Sequence, residues 1–273
     1  MTTTTDTQFT ASADGTRIAY SRQGTGPAIV CVEGALCHRA MGGAKILTDA
    51  LKDDFTVYGY DRRGRGESGP GASPYDVQRE VEDLAAVLAA TGETPFVFAA
   101  SSGAALALEA ARQGVPIRGL VCYEAPFIVD DTHAPNDPAL PERFAALAEE
   151  GRRGEAVKLF MKTVGAPAPM VALMPLFPVW KSLKAVAHTL PNDFRICIDF
   201  EQGRPLPAGH YATVEVPTVV IAGGKSPAYL RNAQAAIADQ LPHGRLVTLP
   251  GQTHMIRAKA TAPVLREAFA QDA

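Results

Sequence analysis

What most constrains this chain is an alternation of short apolar runs with segments of helical period, broken once by a long stretch with no strand pattern. Thr16–Arg22, Ala28–Val32, Phe55–Tyr60, Phe96–Ala100 and Ile117–Tyr123 read as strands. Helical patterns stand between them at Lys45–Lys52, in "PYDVQREVEDLAAVLAATG" and at Gly103–Gln113. In the second of these, Asp76 is placed to cap the helix, and Val77, Val81, Leu84, Val87 and Leu88 share one face. The alternation resumes with the strand "VPTVVIAGG", a helix over Pro227–Leu241, the strand "GRLVTLPG" and a helix over Thr261–Gln271. Strands that alternate with helices predict a mainly parallel sheet covered on both faces. From about Val129 to Ala212 only helical patterns appear, as in "PERFAALAEEGRRGEAVKLFMKTVG" and "VWKSLKAVAHTLPND". That stretch is expected to be a helical cap inserted after the sixth core strand, with plain stabilising cover as the alternative. The expected organisation is thus a core over residues 1–128, a cap over 129–212 and a second part of the core over 213–273.

The bulk properties exclude several classes. A net charge of −3 carries no basic footprint for nucleic acid or an anionic membrane. No apolar run has the length of a membrane span, and "MTTTTDTQFT" lacks the cationic start and apolar core of a signal peptide. Cys31, Cys37, Cys122 and Cys197 show no metal or redox spacing, and Cys31 and Cys122 lie inside apolar runs. A reduced cytoplasmic protein is expected, with a small-molecule substrate and no nucleic acid, membrane, metal or cofactor.

The stretch "FVFAASSGAALALEAA" joins a strand to a helix of small residues through two serines. A nucleophile held on a sharp strand-to-helix turn needs small residues two before and two after it. Ser101 has Ala99 and Gly103 there, whereas Ser102 would have Ala100 and Ala104. Sterics alone allow both frames. The Ser101 frame puts the glycine after the nucleophile, where close packing demands it, and leaves the Ser102 N–H at the helix start to face an oxyanion. The alternative is a pair of helix-capping serines.

"VYGYDRRGRGESG", the serine junction, "LVCYEAPF", "VVIAGGKSP" and "LPGQTHM" follow one another in an order that resembles the α/β-hydrolase superfamily over nearly the whole chain. The resemblance implies an α/β-hydrolase fold and the order serine, acid, histidine. Ser101 then corresponds to the nucleophile and His254, in "PGQTHMI", to the general base. The loop after "VVIAGG", where the family usually carries its acid, offers Lys225 and Ser226 instead of a carboxylate. Glu124, after the preceding core strand, resembles a variant that carries its acid there; pairing with an arginine of "DRRGRG" is the alternative. Asp199 and Glu201 are weaker substitutes.

The resemblance also implies a second oxyanion donor from the loop "VEGALCHRAMGG". Gly34 matches the family's glycine, Glu33 replaces its histidine, and the donor is the backbone N–H of Ala35, beside that of Ser102. Glu33 is expected to be structural, bonded to backbone or paired with Arg62, Arg63 or Arg65; substrate contact or tuning of His254 is the alternative. The arginines of "DRRGRGES" are expected to tie loops together.

The cap's "MVALMPLFPVW" combines methionines and aromatics that suit an adaptable apolar pocket. Leu36, Phe127, Met174, Phe177 and Trp180 are the expected pocket residues, although apolar side chains at helical spacing also serve as core. The chain therefore reads as a serine hydrolase of a small or medium apolar ester, thioester or lactone. The alternatives are a non-hydrolytic enzyme of the same fold (cyclisation, lactonisation, C–C cleavage or perhydrolysis) and a non-catalytic small-molecule binding protein.

Overall fold

A computed structural model of the chain describes residues 6–71 and 74–270. The threonine-rich start and the expected helix end at Gln271 lie outside the described residues. The strands are β1 (Gln8–Ala11), β2 (Arg17–Gly24), β3 (Ala28–Val32), β4 (Thr56–Tyr60), β5 (Phe96–Ala100), β6 (Gly119–Tyr123), β7 (Thr218–Gly223) and β8 (Gly244–Leu249). They form one sheet in the order β1-β2-β4-β3-β5-β6-β7-β8. Pairing is antiparallel for β1 with β2 and for β2 with β4, and parallel from there to β8. β1 escaped the sequence reading because it is an edge strand with no fully buried side chain, so no apolar alternation marks it.

The central strands β3, β5, β6 and β7 are buried throughout. Successive residues face opposite sides, as a pleat requires. Val30, Val97, Cys122 and Val220 join the apolar cluster on one face, and Cys31, Phe98, Val121 and Ile221 the cluster on the other. Cys31 and Cys122 serve as small core hydrophobes, and all four cysteines are unpaired.

The core helices are α1 (Gly43–Leu51), α2 (Val77–Ala89), α3 (Ser102–Arg112), α9 (Ala228–Gln240) and α10 (Ala258–Ala270). Asp76 caps α2 by accepting from the Gln78 N–H, and Val81, Leu84, Val87 and Leu88 are buried. Between β6 and β7 the chain forms α4 (Leu140–Glu149), α5 (Arg153–Thr163), α6 (Ala168–Leu173), α7 (Val179–Val186) and α8 (Leu190–Cys197). These helices bury a separate cluster built on Phe144, Val157, Leu183, Leu190 and Phe194, and Leu36 of the loop after β3 enters it. The two ends of this insert are laced together: the Ile128 N–H donates to Phe200 O, the Gly203 N–H to Ile128 O and the Asn136 N–H to Glu201 O. Among the described residues, no single helix is long and apolar enough to cross a membrane.

Candidate active site

The ladder between β5 and β6 ends with Ala100 opposite Tyr123, so the chain leaves the two strands at Ser101 and Glu124. Both adopt positive φ, 56° for Ser101 and 47° for Glu124. Non-glycine residues hold such conformations only where their surroundings fix them, and functional sites are where they gather. For Ser101 the fixing bonds are its own N–H to Tyr123 O, at 2.9 Å, and the Ala104 N–H to Ser101 O, at 2.8 Å. Gly103 explains why the turn carries a glycine: a β-carbon there would run into the carbonyl oxygens of Val32 and Glu33. Ser101 stands before the first turn of α3 and makes no side-chain cap, which removes the capping alternative for it.

The Glu124 side chain is fully buried and makes two hydrogen bonds. Oε1 accepts from the Gly223 N–H at 2.7 Å, and Oε2 lies 2.9 Å from His254 Nδ1. Burial pushes this carboxyl up, yet His254, Ser226 and the Gly223 N–H together pull harder and leave it below the ordinary range. An ionised carboxylate only accepts, so Nδ1 is the ring nitrogen that donates to it, and in the neutral ring this leaves the lone pair on Nε2. Pairing of Glu124 with an arginine is not what the structure shows. Ser226 is buried beside Glu124, and its Oγ has no hydrogen-bond partner of good geometry.

The His254 loop is held by Tyr123, whose hydroxyl donates to Thr253 O at 2.6 Å, and by the Lys225 N–H to Gln252 O at 2.8 Å. The His254 side chain is 41% exposed, open to a ligand from outside. The Ser101 hydroxyl makes no hydrogen bond to His254 here; such contacts are often long before a substrate is bound.

Gly34 brings the loop after β3 over the serine. A β-carbon on Gly34 would stand 2.8 Å from Ser101 Cβ and 3.5 Å from its Oγ. The peptide that links Gly34 to Ala35 therefore runs beside the hydroxyl, close to the start of α3. Glu33 faces the start of α1. Its carboxylate accepts from the Gly43 and Ala44 N–H groups, at 2.7 and 2.8 Å, and so satisfies the otherwise unpaired start of α1. Burial raises its pKa, against those two bonds and the charge of Arg65. Gly42 is required there because a side chain would occupy the space of the Glu33 carboxylate.

The expected pocket residues part company. Leu36 is 2% exposed and shares an apolar cluster with the partly buried Met174 and Trp180. Phe127 is a correction: it has no exposed surface and packs at a tilt against Phe200 inside the main core, so it does not line an open pocket. Phe177, between α6 and α7, is 57% exposed. Trp180 also borders a cleft of about 570 Å³ between α5 and α7, walled by Arg152, Lys158, Lys181 and Lys184.

The sequence reading missed Asp193 of α8. It is buried, and it receives bonds from Ser102 Oγ, Arg62 and Arg65, each at 2.7 Å. Its signal was an acidic residue on the stripe shared by Leu190, Phe194 and Cys197, all of them buried. Arg62 also grips Glu80 through two bonds, and Arg63 pairs with Asp83. These arginines tie loops together, as expected.

The sequence matches the profile of the alpha/beta hydrolase family over residues 34–266. The structure is similar to that of an alpha/beta hydrolase from Sphaerobacter thermophilus, with a TM-score of 0.87 and 46% identity over 96% of this chain and 100% of that one. It is also similar to the enol-lactonase from Burkholderia xenovorans, with a TM-score of 0.71 and 21% identity over 96% of this chain and 100% of that one. Among curated proteins, an uncharacterized hydrolase of Bacillus subtilis, YraK, is 28% identical over 162 residues. That match spans 56% of this chain and 56% of the relative, little more than half of its length.

Proposed function

Since this chain belongs to the alpha/beta hydrolase family, we propose that it is a serine hydrolase acting through an acyl-enzyme. The observation that carries this is the strained Ser101 turn together with His254 bonded to the buried Glu124, with Gly34 packed against the serine. Ser101 Oγ attacks the substrate carbonyl while His254 Nε2 takes its proton. Glu124 holds the imidazole in the tautomer that makes this possible and stabilises its charged form. The N–H groups of Ala35 and Ser102 receive the oxyanion. His254 then returns the proton to the leaving group and activates the water that releases the acyl chain.

The insert between β6 and β7 is the cap of this site. Leu36, Met174 and Trp180 share its apolar cluster, which supports a small or medium apolar acyl group in an ester, thioester or lactone. The enol-lactonase similarity, at 21% identity, makes lactones one of the first substrates to try. The mechanism needs only a small-molecule partner. Four unpaired thiols, three of them buried, suit a reducing compartment such as the cytoplasm.

Intact-mass labelling with a fluorophosphonate tests this directly. One adduct on Ser101 is expected in the wild type and none in Ser101→Ala, with ester turnover falling on the order of 10⁵-fold or more. A folded wild type that takes no label, or a Ser101→Ala variant that still hydrolyses, would remove Ser101 as the nucleophile.

A further inference from the structure

The two oxyanion donors belong to segments that have no covalent reason to agree in position. Ala35 lies on the loop after β3, and Ser102 opens α3. Asp193, which comes from the cap, is the group that meets the supports of both. One oxygen, Oδ1, accepts from Ser102 Oγ and from Arg62 Nη1, both at 2.7 Å. The other, Oδ2, accepts from Arg65 Nη2 at 2.7 Å. Arg65 Nη1 in turn donates to Gly34 O at 2.6 Å and to Cys37 O at 3.0 Å, and Arg62 Nη1 reaches Glu33 O at 3.3 Å.

The bond to Gly34 O matters because that carbonyl and the Ala35 N–H are the two ends of one planar peptide unit. Holding the oxygen fixes where the N–H points, and a guanidinium on the oxygen polarises the unit and strengthens the N–H as a donor. Ser102 is held the same way, through its side chain, immediately next to the N–H that faces the oxyanion. Asp193, Arg62, Arg65 and Ser102 are all 3% exposed or less, so water does not compete for these bonds.

We propose that Asp193 is a positioning residue for the oxyanion hole: through Arg65 and Ser102 it sets the direction of both donor N–H groups, so that the cap completes the catalytic geometry as well as covering it. This rests on Ser101 being the nucleophile. Asp193 touches no reacting atom, and its effect belongs to the transition state, in which the carbonyl oxygen carries charge. Ground-state binding of the acyl chain does not depend on it.

The test uses the full chain, p-nitrophenyl butyrate as substrate and an alkyl trifluoromethyl ketone as a mimic of the tetrahedral state. Ser102→Ala keeps the N–H and removes the hydroxyl's bond to Asp193 together with the longer one, 3.3 Å, that it accepts from Arg62 Nη1. Arg65→Lys keeps the charge but cannot bridge Asp193 and two carbonyls. Asp193→Asn leaves an acceptor for Ser102 and weakens the hold on both arginines. Each is expected to lower kcat about 10- to 100-fold with KM moved less than about 3-fold. Trifluoromethyl ketone affinity should weaken by the same factor as kcat/KM. Should Asp193→Asn fail to fold, the other two variants decide the matter. Folded Ser102→Ala and Arg65→Lys enzymes with unchanged kcat and ketone affinity, or with the whole loss in KM, overturn the proposal while leaving Ser101 in place. A wild type that is neither labelled at Ser101 nor active overturns both.

Discussion

The two ends of the helical insert between β6 and β7 are built on opposite principles. At the α8 end, Asp193 meets Arg62, Arg65 and Ser102 under complete burial. At the α6–α7 end, residues 168–180 carry no charged side chain, and Leu173, Leu176, Phe177 and Val179 stand exposed, Leu176 by 78%. Buried charges with several partners accept one geometry, because any displacement strands a charge in low dielectric. Apolar side chains on short helices slide at little cost. The comparison teaches that one end of the insert is fixed in place and the other is not; in the proposed mechanism the fixed end serves the reacting atoms and the other adapts to the substrate.

The largest effect should come from breaking the anchored end. Arg62→Met leaves Glu80 and Asp193 without their shared cation, and about 3–5 kcal/mol of unfolding free energy should be lost. Urea unfolding monitored by fluorescence measures this, and a loss no greater than that of an exposed substitution would make the two ends equivalent.

The neck of the insert is an intermediate case. Glu201 is buried like Asp193, but among the described residues its carboxylate receives a bond from Asn136 Nδ2 alone, at 2.7 Å, and none from an arginine. Its pKa is pushed up from 4.5 to about 7, by burial first, against the Asn136 bond. A carboxyl raised in the folded state costs nothing below its unfolded pKa and weakens the fold as pH rises through the folded one. Asp193 has the opposite sign: the two arginines and Ser102 outweigh burial and hold it below its ordinary value, so its contribution is lost as pH falls. Glu201→Gln should therefore stabilise the protein at pH 8 by up to about 3 kcal/mol and change little near pH 4.5. Melting curves across that range check it, and a pH-independent gain would show that the charge of Glu201 is not the cause.

Next in size is a probe of the loop that the anchored end holds. Gly34→Ala places a methyl 2.8 Å from Ser101 Cβ, and kcat should fall about 100-fold, since a shift on the order of 1 Å costs that much. Steady-state kinetics with p-nitrophenyl esters read this, and near-normal turnover would mean that the loop position does not matter. The smallest effect is expected at the open end. Phe177→Ser should leave stability within about 0.5 kcal/mol while altering KM for long acyl chains more than for short ones. A large stability loss there would erase the contrast between the two ends.

Much of this was legible in the chain itself. Strand and helix alternation follows from local periodicity, and Asp76 caps α2 where its spacing placed it. Ala99, Gly103 and the serines declared a sharp turn because the steric demand acts within a few residues. Glu124 and His254, chosen from separate motifs, meet at 2.9 Å. What tertiary structure alone decided lies wherever one residue's role depends on another far along the chain. Glu33 became the cap of α1 once β3 delivered it to Gly43, and Phe127 went to the core because Phe200 returned to cover it. Asp193 pairs with Ser102 across 91 residues. Local sterics and periodicity are written in neighbouring residues, whereas the pairing of buried charges is fixed only when folding closes the loops that bring them together and removes the water between them.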